Sequence, residues 1–243
     1  MPESASLRTA ALVLFCRRPR PGSGKQRLAR DLGEAGAHAV ARALLECALE
    51  DAAAWPGRLV ISPACGEDAD WAQGLLLPRL KWVIAQPKGN LGHRINAVDA
   101  AVRRRRCRRV LFVGSDAPCM QPGDLEAATA ALDHADVVLI PAADGGVTLM
   151  GSRVKWPQLA SLPWSESALG CALERCCQAS GLTVARLSAS FDIDKVADFR
   201  LAFEALARDP RPARRRLNEL LTALTCPPAA FASPAADSVA GEA

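Results

Sequence analysis

The most constraining feature of this sequence is a regular alternation of short apolar runs with longer stretches of helical period. Apolar runs of strand length occupy residues 10–15, 58–62, 81–85, 109–114 and 136–141. Stretches with a helical pattern lie between them, at residues 35–54, 91–104 and 124–133. This alternation is typical of a mostly parallel β-sheet covered by helices. It therefore predicts one α/β domain with the layers of an α/β/α sandwich.

The 243 residues are enough for one sizeable core with a short segment at each end. We expect the domain to span residues 9–226, after a flexible N-terminus at 1–8. Alanine and proline dominate residues 227–243, which predicts a disordered tail. Residues 213–224 read as a basic amphipathic helix, whose apolar face would favour a homodimer.

Charge and hydropathy argue against a nucleic acid or a membrane as partner. Thirty basic and 26 acidic residues give a net charge of only +4. The densest run of arginines, at 103–106, falls at the end of a predicted helix, where cations interact favourably with the helix dipole. No apolar run approaches the roughly 20 residues of a membrane-spanning helix. We therefore expect no nucleic-acid partner and no membrane span.

The nine cysteines include no C-x-x-C pair, and a chain of this length does not need disulfides for stability. Free thiols in a reducing compartment are the expected state. The sequence thus predicts a cytoplasmic protein.

A basic loop containing two glycines follows the first predicted strand and reads R-R-P-R-P-G-S-G-K-Q-R over residues 17–27. Ligands of open α/β sheets bind at the carboxyl ends of strands. Glycines let backbone N–H groups approach a phosphate, and Lys25 and Arg27 can neutralise its charge. Pro19 and Gln26 stand where a P-loop needs a glycine and a metal-binding Ser or Thr, so that class is excluded. The loop predicts a phosphorylated ligand, with an ordinary solvated loop as the alternative.

Carboxylates stand near the ends of later predicted strands. Asp116 lies in G-S-D-A-P, Asp144 in D-G-G, and Asp192 and Asp194 alternate in F-D-I-D. Alternate residues of an extended segment project to the same side. Oxygen ligands suit Mg²⁺ or Mn²⁺, so the pattern predicts a site for a metal–nucleotide complex. The alternatives are structural: turn or helix capping by Asp116 and Asp194, and a hairpin turn at D-G-G.

The order of the motifs resembles a known family. The motifs are F-C-R-R-P-R-P-G-S-G-K-Q-R-L at 15–28, Q-P-K-G-N-L-G-H-R at 86–94, G-S-D-A-P at 114–118, P-A-A-D-G-G-V-T-L-M-G at 141–151, P-W-S at 163–165 and D-I-D-K-V-A-D-F at 192–199. Over about residues 10–205 they resemble the bacterial GT-A-type glycosyltransferases associated with radical-SAM proteins, some of them linked to arsenosugar biosynthesis. Phospholactate guanylyltransferases are more distantly similar.

The resemblance implies a GT-A-like three-layer α/β/α sandwich with a mixed, mainly parallel sheet. It also implies a glycosyltransferase that moves a sugar from a nucleotide-diphospho-sugar to a small-molecule acceptor with Mg²⁺ or Mn²⁺. It assigns donor binding to two loops and to the glycines of an acceptor-side motif: Pro21, Gly22, Lys25, Arg27, Gly92, Arg94, Gly145 and Gly146. It assigns catalysis to Asp116 and Asp144. It assigns the metal to Asp116, Asp192 and Asp194.

Four positions depart from the usual pattern of that family. Gln26 replaces threonine, Asn90 replaces aspartate, His93 replaces glutamate and Val147 replaces an aromatic residue. Two alternatives therefore stand beside the glycosyltransferase: a nucleotidyltransferase that uses a nucleoside triphosphate, and a non-catalytic nucleotide-binding module.

Overall fold

A computed structural model of the chain describes residues 10–76, 79 and 81–225. The predicted flexible segment 1–8 and the predicted disordered tail 227–243 lie outside the described residues. The described strands are β1 (Ala10–Cys16), β2 (Arg58–Pro63), β3 (Trp82–Val83), β4 (Arg109–Val113), β5 (Val137–Pro141), β6 (Val147–Ser152) and β7 (Val184–Arg186). The described α-helices are α1 (Gln26–Ala54), α2 (Ala69–Gly74), α3 (Leu91–Arg104), α4 (Pro122–Ala131), α5 (Leu169–Ala179), α6 (Phe199–Leu206) and α7 (Pro212–Thr225).

The seven described strands form one sheet in the order β3-β2-β1-β4-β6-β5-β7. β1 pairs in parallel with β2 and β4, whereas β6 runs antiparallel to β4 and β5. The three-layer α/β/α sandwich with a mixed, mainly parallel sheet is thereby confirmed. Because β1, β2 and β4 are parallel, the loops that follow them meet at one edge of the sheet, where an α/β fold binds ligands.

Both faces of the sheet are covered, as the continuous apolar run of β1 requires. Leu12 and Leu14 pack with residues of α1, α2 and α4, in one core cluster. Ala11 and Val13 point to the other face and pack with residues of α3 and α5. Alternation along a single strand therefore contributes to both cores.

A third apolar cluster joins α1 to α6 and α7. Leu217 and Leu221 of α7 are fully buried in it. The apolar face of this helix, expected to favour a homodimer, is therefore covered within the chain, and that argument for a dimer fails. Arg214, one of the basic residues of this predicted amphipathic helix, is also fully buried.

The described helices include none that is long and apolar enough to cross a membrane. The eight cysteines within the described ranges are all free thiols.

Candidate functional site

The basic loop after β1 has an unusual backbone. Gly22, Gly24 and Lys25 have φ angles of 69°, 77° and 44°, so three residues out of four are left-handed. Closely spaced left-handed residues turn successive N–H groups inward and form a concave anion-binding surface. The Ser23 N–H donates to the Arg20 carbonyl at 3.1 Å and closes the turn. Left-handed residues at such close spacing are typical of loops that bind anions.

A buried carboxylate holds this loop in place. Arg20 Nη2 donates to Asp68 Oδ1 at 2.6 Å, and Asp68 is only 3% exposed. Asp68 lies in the turn after β2, so it connects the loops that follow two neighbouring strands.

We expect Asp68→Asn to weaken the binding of a phosphorylated ligand to this loop about tenfold while the protein stays folded. A charge-assisted hydrogen bond contributes about 1.5–3 kcal/mol, and about 1.4 kcal/mol corresponds to tenfold in affinity. Because Arg20 is half-exposed, we expect the loss of binding free energy to lie at the low end of this range. Calorimetric titration with nucleoside diphosphates would measure the change, with Asp70→Asn as the control because Asp70 is exposed on α2. Equal affinities for the two variants would exclude Asp68 as an anchor of the loop.

Three carboxylates converge at the same edge of the sheet. Asp116 follows β4, while Asp192 and Asp194 lie on an extended segment that is hydrogen-bonded to two strand ends. Ser190 N–H donates to the Pro141 carbonyl at 2.9 Å, and Ile193 N–H to the Asp116 carbonyl at 3.0 Å. One oxygen from each carboxylate lies within 4.8 Å of the others. The structure thus brings together the three predicted metal ligands. Asp116 lies at least 76 residues before the other two in the sequence.

Lys25 links the basic loop to these carboxylates. Its Nζ donates to Asp194 Oδ1 and to the Ile193 carbonyl, each at 2.6 Å, and lies 3.5 Å from Asp116 Oδ2. Burial lowers the pKa of Lys25, but Asp116 and Asp194 outweigh burial and raise it. The ammonium therefore stays charged at neutral pH.

Asp192 is repelled by the other two carboxylates, and Lys25 does not fully offset this repulsion. Burial, followed by the charges of Asp116 and Asp194, raises the pKa of Asp192 to about 6. Three carboxylates around one ammonium leave negative charge uncompensated, and their oxygens are the ligands that Mg²⁺ and Mn²⁺ prefer. The donor set therefore fits a divalent cation.

We expect Asp192→Asn to raise the melting temperature of the metal-free protein at pH 8. A carboxyl whose folded pKa is raised stabilises the fold below about pH 4, and that stability is lost as pH rises through about 6. The difference between variant and wild type should therefore vanish near pH 4. Thermal melts in EDTA across this range would measure it, with Asp70→Asn expected to show no such trend. Equal melting temperatures at pH 8 would contradict the electrostatic account of Asp192.

The carboxylates border two adjoining depressions. One has a volume of about 700 Å³ and is lined by the basic loop, including Gly22, Lys25 and Arg27. The other, of about 490 Å³, is lined by Arg27, Arg94, Asp144 and Gly146 together with all three acidic residues. Most of the predicted site residues thus share one continuous region, which we call the cleft.

Gly92 and Gly145 act through packing. A Cβ on Gly92 would lie 2.1 Å from the Leu159 carbonyl oxygen, and one on Gly145 would lie 2.0 Å from that of Ser167. Both glycines permit a close backbone approach at the rim of the cleft. Pro21 lies in the turn that Ser23 closes, where its fixed φ suits the position after Arg20. Pro21, Gly92 and Gly145 therefore support the shape of the cleft. None of the three is among the described residues that line either depression.

The departures from the resembled family have structural explanations at two positions. Asn90 caps α3, because its Oδ1 accepts from the His93 N–H at 3.0 Å, as an aspartate would. Gln26 Nε2 donates to the Gly22 carbonyl at 3.2 Å and so braces the basic loop. These two substitutions preserve the local structure.

Gln86 is the first residue of the motif at 86–94, and no role was predicted for it from the sequence. It is 7% exposed and lines the cleft, and its Nε2 donates to the Ser62 carbonyl at 2.8 Å. This bond fixes the amide and leaves Oε1 able to accept a hydrogen bond from a ligand. Its place at the start of the motif at 86–94, three residues after β3, was the available signal.

Comparisons with known proteins agree with this architecture. A candidate nucleotide-diphospho-sugar transferase of Desulfovibrio desulfuricans is 24% identical, with a TM-score of 0.77 over 88% of this chain and 94% of that chain. A nucleotidyl transferase of Methanothermobacter thermautotrophicus is 16% identical, with a TM-score of 0.52 over 82% and 99% of the two chains. The 4-diphosphocytidyl-2C-methyl-D-erythritol synthase of Anaerococcus prevotii is 12% identical, with a TM-score of 0.55 over 84% and 100%. These likenesses show a shared fold.

Among curated proteins the comparison found no significant match. A family model described as "uncharacterized protein conserved in bacteria (DUF2064)" matches residues 30–166, which is more than half of the chain. The protein therefore belongs to the DUF2064 family.

Proposed function

We propose that this protein is a metal-dependent glycosyltransferase that moves a sugar from a nucleotide-diphospho-sugar to a small hydroxyl acceptor. One observation carries the proposal: Lys25, in a loop with anion-binding geometry, contacts two members of a convergent carboxylate triad. A diphosphate and a divalent cation need adjoining sites of opposite charge, and this cleft provides both. Solved proteins named for nucleotide-sugar and nucleotidyl transfer have the same fold, which supports a nucleotide as donor.

Lys25 and Arg27 would bind the diphosphate. The guanidinium of Arg27 is largely exposed, and its Nη1 lies 3.7 Å from Asp194 Oδ2. Because this weak pair leaves most of the planar donor edge free, Arg27 can bind two phosphate oxygens at once.

Asp116, Asp192 and Asp194 would hold the Mg²⁺ or Mn²⁺ ion. When bound, the ion would supply positive charge against the negative charge that develops on the leaving diphosphate. Lys25 would add a second fixed positive charge at the same place, and its contacts hold it there before the donor binds.

Asp144 would orient and deprotonate the acceptor. Its Oδ1 accepts from the Gly146 N–H at 2.9 Å, which fixes the carboxylate at the hairpin tip between β5 and β6. The acceptor oxygen forms a bond to the anomeric carbon while the bond from that carbon to the phosphate oxygen breaks. The electron pair leaves with the nucleoside diphosphate, and the hydroxyl proton passes to Asp144.

The site serves this function in the cytoplasm, where the free thiols of the described cysteines are stable. Sugar transfer is the reaction of the radical-SAM-associated family that the motifs resemble. Nucleotidyl transfer is the competing reaction, since two of the fold relatives are named for it.

Product analysis would decide between the two reactions. Purified protein is incubated with Mn²⁺ or Mg²⁺ and either a panel of nucleotide-sugars or the four nucleoside triphosphates, in a mixture of small alcohols and sugars. We expect a nucleoside diphosphate to be released from one nucleotide-sugar. Pyrophosphate released from a triphosphate would instead show nucleotidyl transfer.

Matched lysine variants provide the control. Lys25→Met should lose the activity, whereas Lys155→Met should retain it, because exposed Lys155 lies outside the cleft. If nucleotides bind but neither product forms from any donor, the enzyme is refuted and the non-catalytic nucleotide-binding module is favoured.

A further inference from the structure

The cleft has a second half that the donor does not account for. It is formed by the tip of the β5–β6 hairpin and by the segment that precedes α5, and we call it the acceptor half. Its lining residues are Asp144, Val147, Thr148, Trp164, Ser165 and Glu166.

The acceptor half is built before any ligand binds. Gly170 N–H donates to the Gly145 carbonyl at 2.8 Å, so the hairpin tip is tied to the start of α5. The space beside Gly145 is filled by the Ser167 carbonyl, and the Asp144 carboxylate is fixed by the Gly146 N–H. A preorganised subsite of this kind loses little ordering entropy on binding.

Trp164 gives the acceptor half an apolar wall. Its Nε1 donates to the Leu159 carbonyl at 2.7 Å, so the polar atom of the indole is already bonded within the protein. The ring is half-buried and packs against the core cluster that contains Phe112 and Met150. The exposed part of the ring is therefore available to aliphatic C–H groups of a ligand.

The charged side chains that line the acceptor half are all acidic. The charged side chains of the acceptor half are Asp144 and Glu166, both exposed and neither in an ion pair with a described residue. The described basic residues of the cleft belong to other segments, with Arg17, Arg18, Lys25 and Arg27 in the basic loop and Arg94 in α3. Arg94 Nε donates to the Gly89 carbonyl in the turn before α3. An anion at the hairpin tip would meet two carboxylates and the nearby acidic triad.

We propose that the acceptor half selects a hydroxyl acceptor that carries a positive charge and an apolar face, such as an amino sugar or an amino alcohol, and that it rejects phosphorylated acceptors. This inference rests on the proposed function, because it assigns the remaining half of the same cleft. Near a protein surface opposite charges attract and like charges repel. Exposure weakens both effects, but tenfold selectivity needs only about 1.4 kcal/mol.

Three sugars with one carbon skeleton would test the charge preference: glucosamine, glucose and glucose 6-phosphate. Each sugar is titrated into the full-length protein and its binding is followed by NMR. The protein is first saturated with the nucleoside diphosphate that binds most tightly, in a buffer that contains Mg²⁺ and no Mn²⁺. We expect glucosamine to bind at least about tenfold more tightly than glucose 6-phosphate, with glucose between them. Tighter binding of glucose 6-phosphate, or no binding of any of the three, would overturn the inference.

A charge-reversal pair localises the effect. Glu166→Lys should reduce the preference for glucosamine over glucose 6-phosphate at least several-fold, because it cancels the negative charge of Asp144 in the acceptor half. Glu126→Lys, on exposed α4 surface outside the cleft, should leave the preference unchanged. An unchanged preference in Glu166→Lys would also overturn the inference. Failure of the proposed function is recognised separately, because it would appear as absent nucleotide binding before any sugar is added.

Discussion

Replacing Asp116 with asparagine should reduce turnover more than about 100-fold while the protein remains folded. Outer-shell residues of metal sites already contribute about 10–100-fold, and Asp116 is a direct member of the carboxylate triad. Its Oδ2 also lies 3.5 Å from Lys25 Nζ. Asp116 would therefore contact both the proposed divalent cation and the proposed diphosphate-binding lysine. Its side chain is 42% exposed, which predicts a small effect on stability.

The measurement is the initial rate of nucleoside diphosphate release at saturating donor and metal, together with a thermal melt of each protein. Asp70→Asn is the matched control and should keep wild-type activity, because Asp70 is exposed on α2 outside the cleft. If Asp116→Asn retained more than a tenth of the wild-type rate, Asp116 would have no direct part in the reaction.

Arg214→Met should lower the free energy of unfolding by about 3 kcal/mol or more at pH 7, because losing one partner of a buried ion pair costs about 3–5 kcal/mol. Arg214 is fully buried, and its guanidinium donates to the Pro118 and Cys47 carbonyls at 3.1 and 2.5 Å. It also pairs with Glu50 at 3.0 Å and with Asp51. Methionine fills similar volume but leaves these acceptors without their cation.

Urea denaturation would measure the loss, with Arg216→Met as the control. Arg216 is 59% exposed and pairs with Glu46 at 3.5 Å, so its replacement should cost less than about 1 kcal/mol. Burial already raises the pKa of Asp51. Removing Arg214 should raise it further, so the deficit should shrink as the pH falls and the carboxyl becomes protonated. A deficit equal to that of Arg216→Met would contradict the buried network.

This network is relevant to the cleft as well as to stability. The Pro118 carbonyl that accepts from Arg214 lies two residues after Asp116. Arg211 donates to the carbonyl of Met120 at 2.9 Å and pairs with Asp51 at 2.8 Å. The chain that leaves the carboxylate site is therefore anchored to α1 through two arginines of the C-terminal segment.

Local pattern predicted the central strands because each is a continuous apolar run buried on both faces. β6 and β7 were not predicted, for local reasons. β6 contains Gly151, a weak strand former, whose Cβ would come within 2.5 Å of Leu111 and 2.8 Å of Val138. β7 has only three residues, too few for a pattern.

The candidate site was predictable as residue types but not as contacts. The resemblance assigned Lys25 to the donor and Asp116 and Asp194 to the metal. The contacts of Lys25 with these two carboxylates join positions 91 and 169 residues apart. Such contacts depend on strand order, which the sequence alone does not provide. The burial of Arg214 was missed for the same reason, because its partners on α1 lie more than 160 residues away.

The most direct test of the account is the binding of a nucleoside diphosphate by titration calorimetry, with and without Mg²⁺ or Mn²⁺, to wild type and to Lys25→Met. The account predicts that one diphosphate binds wild type, that the divalent cation strengthens binding at least about tenfold, and that Lys25→Met loses this binding while Lys155→Met keeps it. Binding that is independent of both the cation and Lys25 would contradict the central claim that the loop and the carboxylate triad form one nucleotide site.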